Sequence, residues 1–125
     1  MRSGNLNVRD LAGYVASNIM DGLVQTLQWH EVDDFHRNGG VIIDVRDQVE
    51  LRAGAIPGSI HIPLAELRDR MSEIPRDREI VVSCQVGLRG YLAARILTQH
   101  GYSVRNVDGG YKTYSVMAKR AYLLK

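Results

Sequence analysis

Apolar positions follow two rhythms along this chain. "VIIDVR" at 41–46 and "EIVVSC" at 79–84 are short β-branched runs with no polar alternation, too short for helices, and they predict strands buried on both faces. Elsewhere the spacing widens to that of amphipathic helices. Residues 8–20 carry Leu11, Val15 and Ile19 at i, i+4 and i+8, closed by Gly22. "LVQTLQWH" reads as extended, and "EVDDFHRNGG" as a short helix with Val32 and Phe35 inward, stopped by Gly39 and Gly40. "GAIPGSIHIP" is broken by glycine and proline and leaves room for one short strand at Ser59–Ile62. "LAELRDRMSEIP" puts Leu64, Leu67, Met71 and Ile74 on one helical face before Pro75. "GLRGYLAARILTQHG" predicts a helix with a Leu88, Leu92 and Ile96 stripe and Gly101 as its C′ residue. "YSVRNVDGG" supplies a last strand and turn, and "YKTYSVMAKRAYLLK" a helical tail.

Doubly apolar strands alternating with amphipathic helices predict an α/β fold: a central parallel sheet of about five strands, flanked by helices on both faces. In such a sheet ligands gather beyond the C-terminal strand ends. Cys84 stands at one of those ends.

Composition narrows the function. The 125 residues suffice for one domain with a real core. A net charge of +2, with no dense Lys/Arg run interleaved with aromatics, does not indicate a nucleic-acid partner. No stretch approaches the roughly 18 consecutive apolar residues of a membrane span. Met1 to Asp10 is polar and lacks the apolar core of a secretory signal. One cysteine excludes an internal disulfide, and His30, His36, His61 and His100 show no metal-ligand spacing, so no metal is expected. The expected address is a reducing cytoplasm.

A lone cysteine is most often a small hydrophobe in a core. Its surroundings here argue for chemistry. Cys84, Gln85, Val86, Gly87, Leu88 and Arg89 form a C-x-x-G-x-R loop between strand and helix. If the loop curls with its N–H groups inward, they make a nest at the positive end of the helix dipole, with Cys84 facing a cleft. Gly87 permits a backbone angle that a side chain forbids. Such a nest favours a thiolate over a thiol, and its amides suit an anionic substrate or the outer sulfur of a persulfide. Arg89, one turn into the helix, is placed to brace the loop or meet an acidic partner.

These pieces together resemble the rhodanese (sulfurtransferase) family over roughly residues 25–117. "VIIDVRDQVEL" is similar to the family's Asp-x-Arg strand end and acidic helix, and "GAIPGSIHIP" to its Gly-His-Ile-Pro-Gly-Ala-x-Asn-Ile-Pro segment. "VVSCQVGLR" resembles the active-site loop, and "NVDGGYKTY" the Gly-Gly turn before the last helix. The resemblance implies that Cys84 accepts a sulfane sulfur from a persulfide, polysulfide or thiosulfate and passes it to a thiol. It implies that the backbone from Gln85 to Arg89 cradles that sulfur while Asp44, Arg46 and Arg89 hold the loop. For Asp44 and Arg46 a structural ion pair competes with substrate contact. Two positions depart from the pattern: Ala55 replaces the usual His, and His61 stands where Asn is common; His61 reads as a satisfied surface histidine. The related phosphatase and arsenate-reductase branch has a loop one residue longer, which disfavours that chemistry here. Members devoted to thiosulfate carry extra basic residues in the loop, absent from Gln85, Val86 and Leu88, which leans toward a persulfide or polysulfide donor. A non-catalytic sulfur carrier or regulatory binding module is the alternative from another class.

Residues 1–24, with "LAGYVASNIMDGLV", resemble the end of the dimerisation domain of coenzyme A-disulfide reductase/polysulfide reductase fusions, where it joins a C-terminal rhodanese domain. The competing reading is an amphipathic helix packed on its own domain. The resemblance implies a flavoprotein disulfide reductase as partner; FAD, NAD(P)H and CoA enter only through such a fusion, and this chain has no flavin-binding glycine motif. Residues 118–125 read as a C-terminal tail.

Overall fold

The two doubly apolar runs fold into the central strands of a parallel sheet. In the computed structural model, which describes residues 24–124, five strands pair: Thr26–Leu27 (β1), Val41–Asp44 (β2), Ile60–His61 (β3), Ile80–Ser83 (β4) and Val104–Val107 (β5). They lie in the order β1-β5-β4-β2-β3, every pair parallel. Three helices connect or close them: Val32–Arg37 (α1), Leu88–Gln99 (α2) and Gly110–Leu123 (α3). The helix expected over residues 8–20 lies outside the described residues.

Alternation along each strand splits the core in two, which is why β2 and β4 are apolar up to their last residues, Asp44 and Ser83. Ile43 and Val82 enter one cluster with Leu67, Ile74, Tyr91, Ala94 and Leu97, beneath α2. Ile42 and Val81 enter the other with Leu27, Val32, Ile56, Val107 and Tyr114, beneath α1 and α3. Each buried Val, Ile or Leu contributes about 1.5–3 kcal/mol. The expected five-stranded sheet with helices on both faces is the observed one.

Four local expectations change. Residues 64–74 form no α-helix but two 3-10 turns, Leu64–Glu66 and Met71–Glu73. In an α-helix the Met71 carbonyl would take the N–H of residue 75, and Pro75 has none. It accepts instead from the Ile74 amide at 3.0 Å and the Tyr102 hydroxyl at 3.2 Å. The four inward residues still point inward: Leu67 and Ile74 are buried, and Leu64 and Met71 pack on the same cluster. In α2 the deepest face is Gly90, Tyr91, Ala93, Ala94 and Leu97, with Leu88, Leu92 and Ile96 half-buried beside it. Gly90, Ala93 and Ala94 let the helix axis approach the sheet, so Leu88, Leu92 and Ile96 flank rather than face it. The extended reading of "LVQTLQWH" holds for Thr26–Leu27 alone, since Trp29–Glu31 is a 3-10 turn, and the strand expected at Ser59–Ile62 shortens to Ile60–His61. Gly101 closes α2 as expected, its own amide on Thr98 O and the Tyr102 amide on Leu97 O, the two bonds of a Schellman motif. α3 runs unbroken across residue 117. None of the described helices is long and apolar enough to cross a membrane.

Candidate active site

Cys84 follows the last residue of β4, at the C-terminal edge of the sheet where parallel topology gathers sites. Its side chain does not open onto a cleft, as its position suggested: the residue is 1 % exposed, on the floor beneath its own loop. Gly87 turns the chain back over it at φ +118°, in the left-handed region, and caps α2. The Gly87 amide donates to Cys84 Sγ at 3.0 Å. Within the loop, Gln85 is half-buried, Val86 is 58 % exposed at the tip, and Leu88 packs on the α2 core cluster.

Beneath the loop lies Arg46, fully buried. Its Nε and Nη2 donate to both oxygens of Asp44 at 2.8–3.1 Å, and Nη2 also donates to Gly54 O at 2.8 Å. Nη1 reaches the loop itself, donating to Gln85 Oε1 at 3.3 Å. The guanidinium sits 4.4 Å from the Tyr111 ring centroid, within cation–π range. Asp44 and Arg46 therefore form a buried ion pair, and Arg46 ties β2, the 48–54 segment, the loop and α3 together. His61, half-buried, bonds through Nε2 to the Arg46 carbonyl at 2.7 Å.

Arg89 projects from the first turn of α2 and grips Glu50 with two parallel bonds, 2.6 and 2.8 Å long. Those bonds, foremost, hold the Glu50 carboxyl down at about 2, with the Asp47 amide and the charges of Arg89 and Arg46 adding to them against burial. Glu50 thus binds its proton more weakly folded than unfolded. Its contribution to stability is whole above the ordinary value of 4.5 and is lost as pH falls from there through about 2. A carbon-detected NMR titration of Glu50 should show that low midpoint, and Arg89→Gln should return it toward the ordinary carboxylate range.

α3 closes the site from the other side. The Tyr111 amide donates to Cys84 O at 2.7 Å and the Lys112 amide to Gln85 O at 3.0 Å. A Cβ on Gly110 would fall 2.4 Å from Cys84 O, and its φ is +63°, so a side chain is refused twice over. The Gly-Gly turn is what brings a helix N-terminus against the loop.

The structure thus brings together all eight residues singled out from the sequence: Cys84, Gln85, Val86, Gly87, Leu88 and Arg89 in the loop, and Asp44 and Arg46 below it. Three others were missed. Glu50 was legible as the fourth residue of Asp47-x-x-Glu50, a capping-box spacing that the 3-10 turn Gln48–Ala53 realises. Tyr111 had only its place after the glycine pair. Asn106, 2 % exposed, had no signal beyond being a polar residue next to Arg105 in a short strand. Among the described residues no group of three or more His, Cys, Asp or Glu is placed to hold a metal.

A single cysteine sulfur held under a strand-to-helix loop of a parallel α/β sheet, over a neutralised arginine, defines a class of small cysteine-loop domains. Within that class this chain belongs to the rhodanese-like domain family, whose model matches residues 28–116. A sulfurtransferase of Allochromatium vinosum is 41% identical over 71 residues, 56% of this chain and 66% of that protein. Among solved structures, reduced CoADR-RHD of Bacillus anthracis is 54% identical with a TM-score of 0.82, covering 91% of this chain but 20% of that one. An NAD-dependent persulfide reductase from A. fulgidus is 39% identical with a TM-score of 0.69, covering 90% of this chain and 20% of that one. The chain thus spans about two thirds of the sulfurtransferase and a fifth of each of the two solved chains.

Proposed function

We propose that this domain is a rhodanese-type sulfurtransferase that moves a sulfane sulfur through a Cys84 persulfide. The observation that carries the reading is the Gly87 amide bonded to a lone sulfur at the C-terminal end of a central parallel strand. The Cys84 thiolate attacks the terminal sulfur of a donor persulfide; the donor S–S bond breaks, and the donor thiolate leaves with the electron pair. An acceptor thiolate then attacks the outer sulfur of the Cys84 persulfide, takes it, and restores the Cys84 thiolate. Nothing is oxidised or reduced overall. In this reading the Gln85–Arg89 backbone cradles the outer sulfur, and Asp44, Arg46 and Arg89 hold the loop.

Charge supports a monoanionic persulfide or an organic polysulfide over thiosulfate. Arg46 and Arg89, the arginines packed against the loop, are each neutralised by a carboxylate, Asp44 and Glu50. A dianion would meet no unspent guanidinium from either. A sulfur that is 1 % exposed also favours a donor that offers a slender terminal sulfur. The likeness to the CoADR-RHD and persulfide reductase structures supports a flavoprotein disulfide reductase as partner, with FAD, NAD(P)H and CoA belonging to it. The six-residue span from Cys84 to Arg89 speaks against phosphatase or arsenate-reductase chemistry. The same burial favours one second reading, a sulfur carrier that shields its persulfide without turnover.

Intact-mass spectrometry after separate incubation with thiosulfate, a small-molecule persulfide and polysulfide, each chased with thiol, tests the proposal. One sulfur atom gained at Cys84 and lost to the thiol is the expected result, with the persulfide and polysulfide ahead of thiosulfate. A sulfur that loads and resists the thiol would point to the carrier. No gain from any donor would overturn both.

A further inference from the structure

Asn106 is buried in β5, and its two amide atoms are used unequally. Nδ2 donates to Gly87 O at 2.9 Å. Oδ1 has no hydrogen-bond partner, the one buried side-chain polar atom so placed among the described residues. An orphaned buried acceptor is a cost to folding. Gly87 O, moreover, already accepts the Tyr91 amide at 2.9 Å as the first bond of α2, so it does not need Asn106 for satisfaction. The side chain is poorly explained as a stabilising group.

Its position explains it better. Gly87 is the residue whose amide points at Cys84 Sγ, and its φ of +118° is one that only glycine adopts freely. A freely turning residue needs an outside hold if its N–H is to stay on the sulfur. Asn106 provides that hold by pinning the carbonyl of the same residue. Gly90 makes the approach possible: a Cβ there would fall 2.1 Å from Asn106 Oδ1. Resting on the reading that Cys84 carries the sulfur, we propose that Asn106 is a positioning residue, acting through Gly87 to keep the loop amide aimed at Cys84 Sγ, and that Gly90 is glycine to admit it.

Asn106→Leu removes the donor and the orphaned acceptor while filling the space, so the domain should fold with an unfolding midpoint near that of the wild type. Two readouts then separate positioning from structure. In ¹H–¹⁵N NMR the Gly87 amide should move toward its position in Cys84→Ala, where its acceptor is gone. The maximal rate of sulfur loading should fall about five- to thirtyfold, the range set by losing one or two kcal/mol of oriented hydrogen bonding, at an unchanged half-saturating donor concentration. Gly90→Ala should displace Asn106 and lower the rate similarly, yet add little in an Asn106→Ala background, because the clash is then absent. A Gly87 amide and a loading rate both at wild-type values in folded Asn106→Leu would overturn the proposal. So would a moved amide with an unchanged rate. If Asn106→Leu does not fold, Gly90→Ala is measured in its place, and a wild-type amide or a wild-type rate there overturns the proposal equally. If the wild-type protein takes up no sulfur, the sulfurtransferase reading fails, and the Gly87 amide alone decides whether Asn106 holds it.

Discussion

Cys84→Ser should take up no sulfur from any donor while remaining folded. The serine oxygen occupies nearly the same space at the floor of the loop, and the Gly87 amide that donates to Sγ keeps an acceptor. The backbone ties are indifferent to the side chain: Tyr111 and Lys112 amides still hold the carbonyls of residues 84 and 85. Stability should therefore change by no more than about 1–2 kcal/mol. Chemistry is another matter. An alcohol at neutral pH is not ionised, and nothing in the mechanism proposed here deprotonates it, so attack on a sulfane sulfur stops. Intact mass after polysulfide treatment and a urea melt of the same sample measure the two halves. Sulfur retained by the serine variant would sink the assignment, and an unfolded variant would show that the thiol holds the loop as well.

Arg46→Ala should have the largest effect on stability, about 3–5 kcal/mol, because it strands Asp44 as an unpaired buried charge. Asp44 is 2 % exposed and Arg46 fully buried, so water cannot stand in for the lost partner. The guanidinium packed on Tyr111 goes too, along with its bonds to Gly54 O and Gln85 Oε1. For a domain of this size that is a fall in Tm of roughly 10–20 °C. Replacing both members, Asp44→Asn with Arg46→Met, should recover part of the loss, because no charge is left stranded. Thermal unfolding of the two variants measures it. A drop below about 1 kcal/mol in Arg46→Ala would mean that the pair does not hold this end of the sheet together.

These two residues differ in how they could be read beforehand. Cys84 was legible because three short-range patterns meet on it: an apolar run ending, a glycine three residues on, and a helical stripe beginning. Each is a backbone preference that neighbours in sequence impose. The contact of Arg46 with the loop and the partner of Arg89 were not legible in that way. Gln85 and Glu50 each lie 39 residues from the arginine they meet, and only the parallel pairing of β2 with β4 brings them together.

The 64–74 segment shows the same division within one element. Its apolar spacing correctly named the inward residues, yet the segment forms turns instead of a helix, and its Met71 and Ile74 carbonyls accept from the Tyr102 hydroxyl, 31 and 28 residues away. The stripe of α2 lies beside the deepest face for a related reason, since periodicity ranks side chains by hydrophobicity and passes over Gly90, Ala93 and Ala94, whose small size lets two backbones approach.

What the sequence determined by itself was therefore the alternation of strand and helix, the parallel sheet that follows from strands apolar on both faces, and the loop around Cys84, all of which rest on local backbone preference and burial. Tertiary structure alone decided how deep the sulfur sits, which carboxylate neutralises Arg89, and that Asn106 reaches Gly87. Those depend on distances between segments remote in the chain, and hydrophobic spacing along a sequence carries no measure of them.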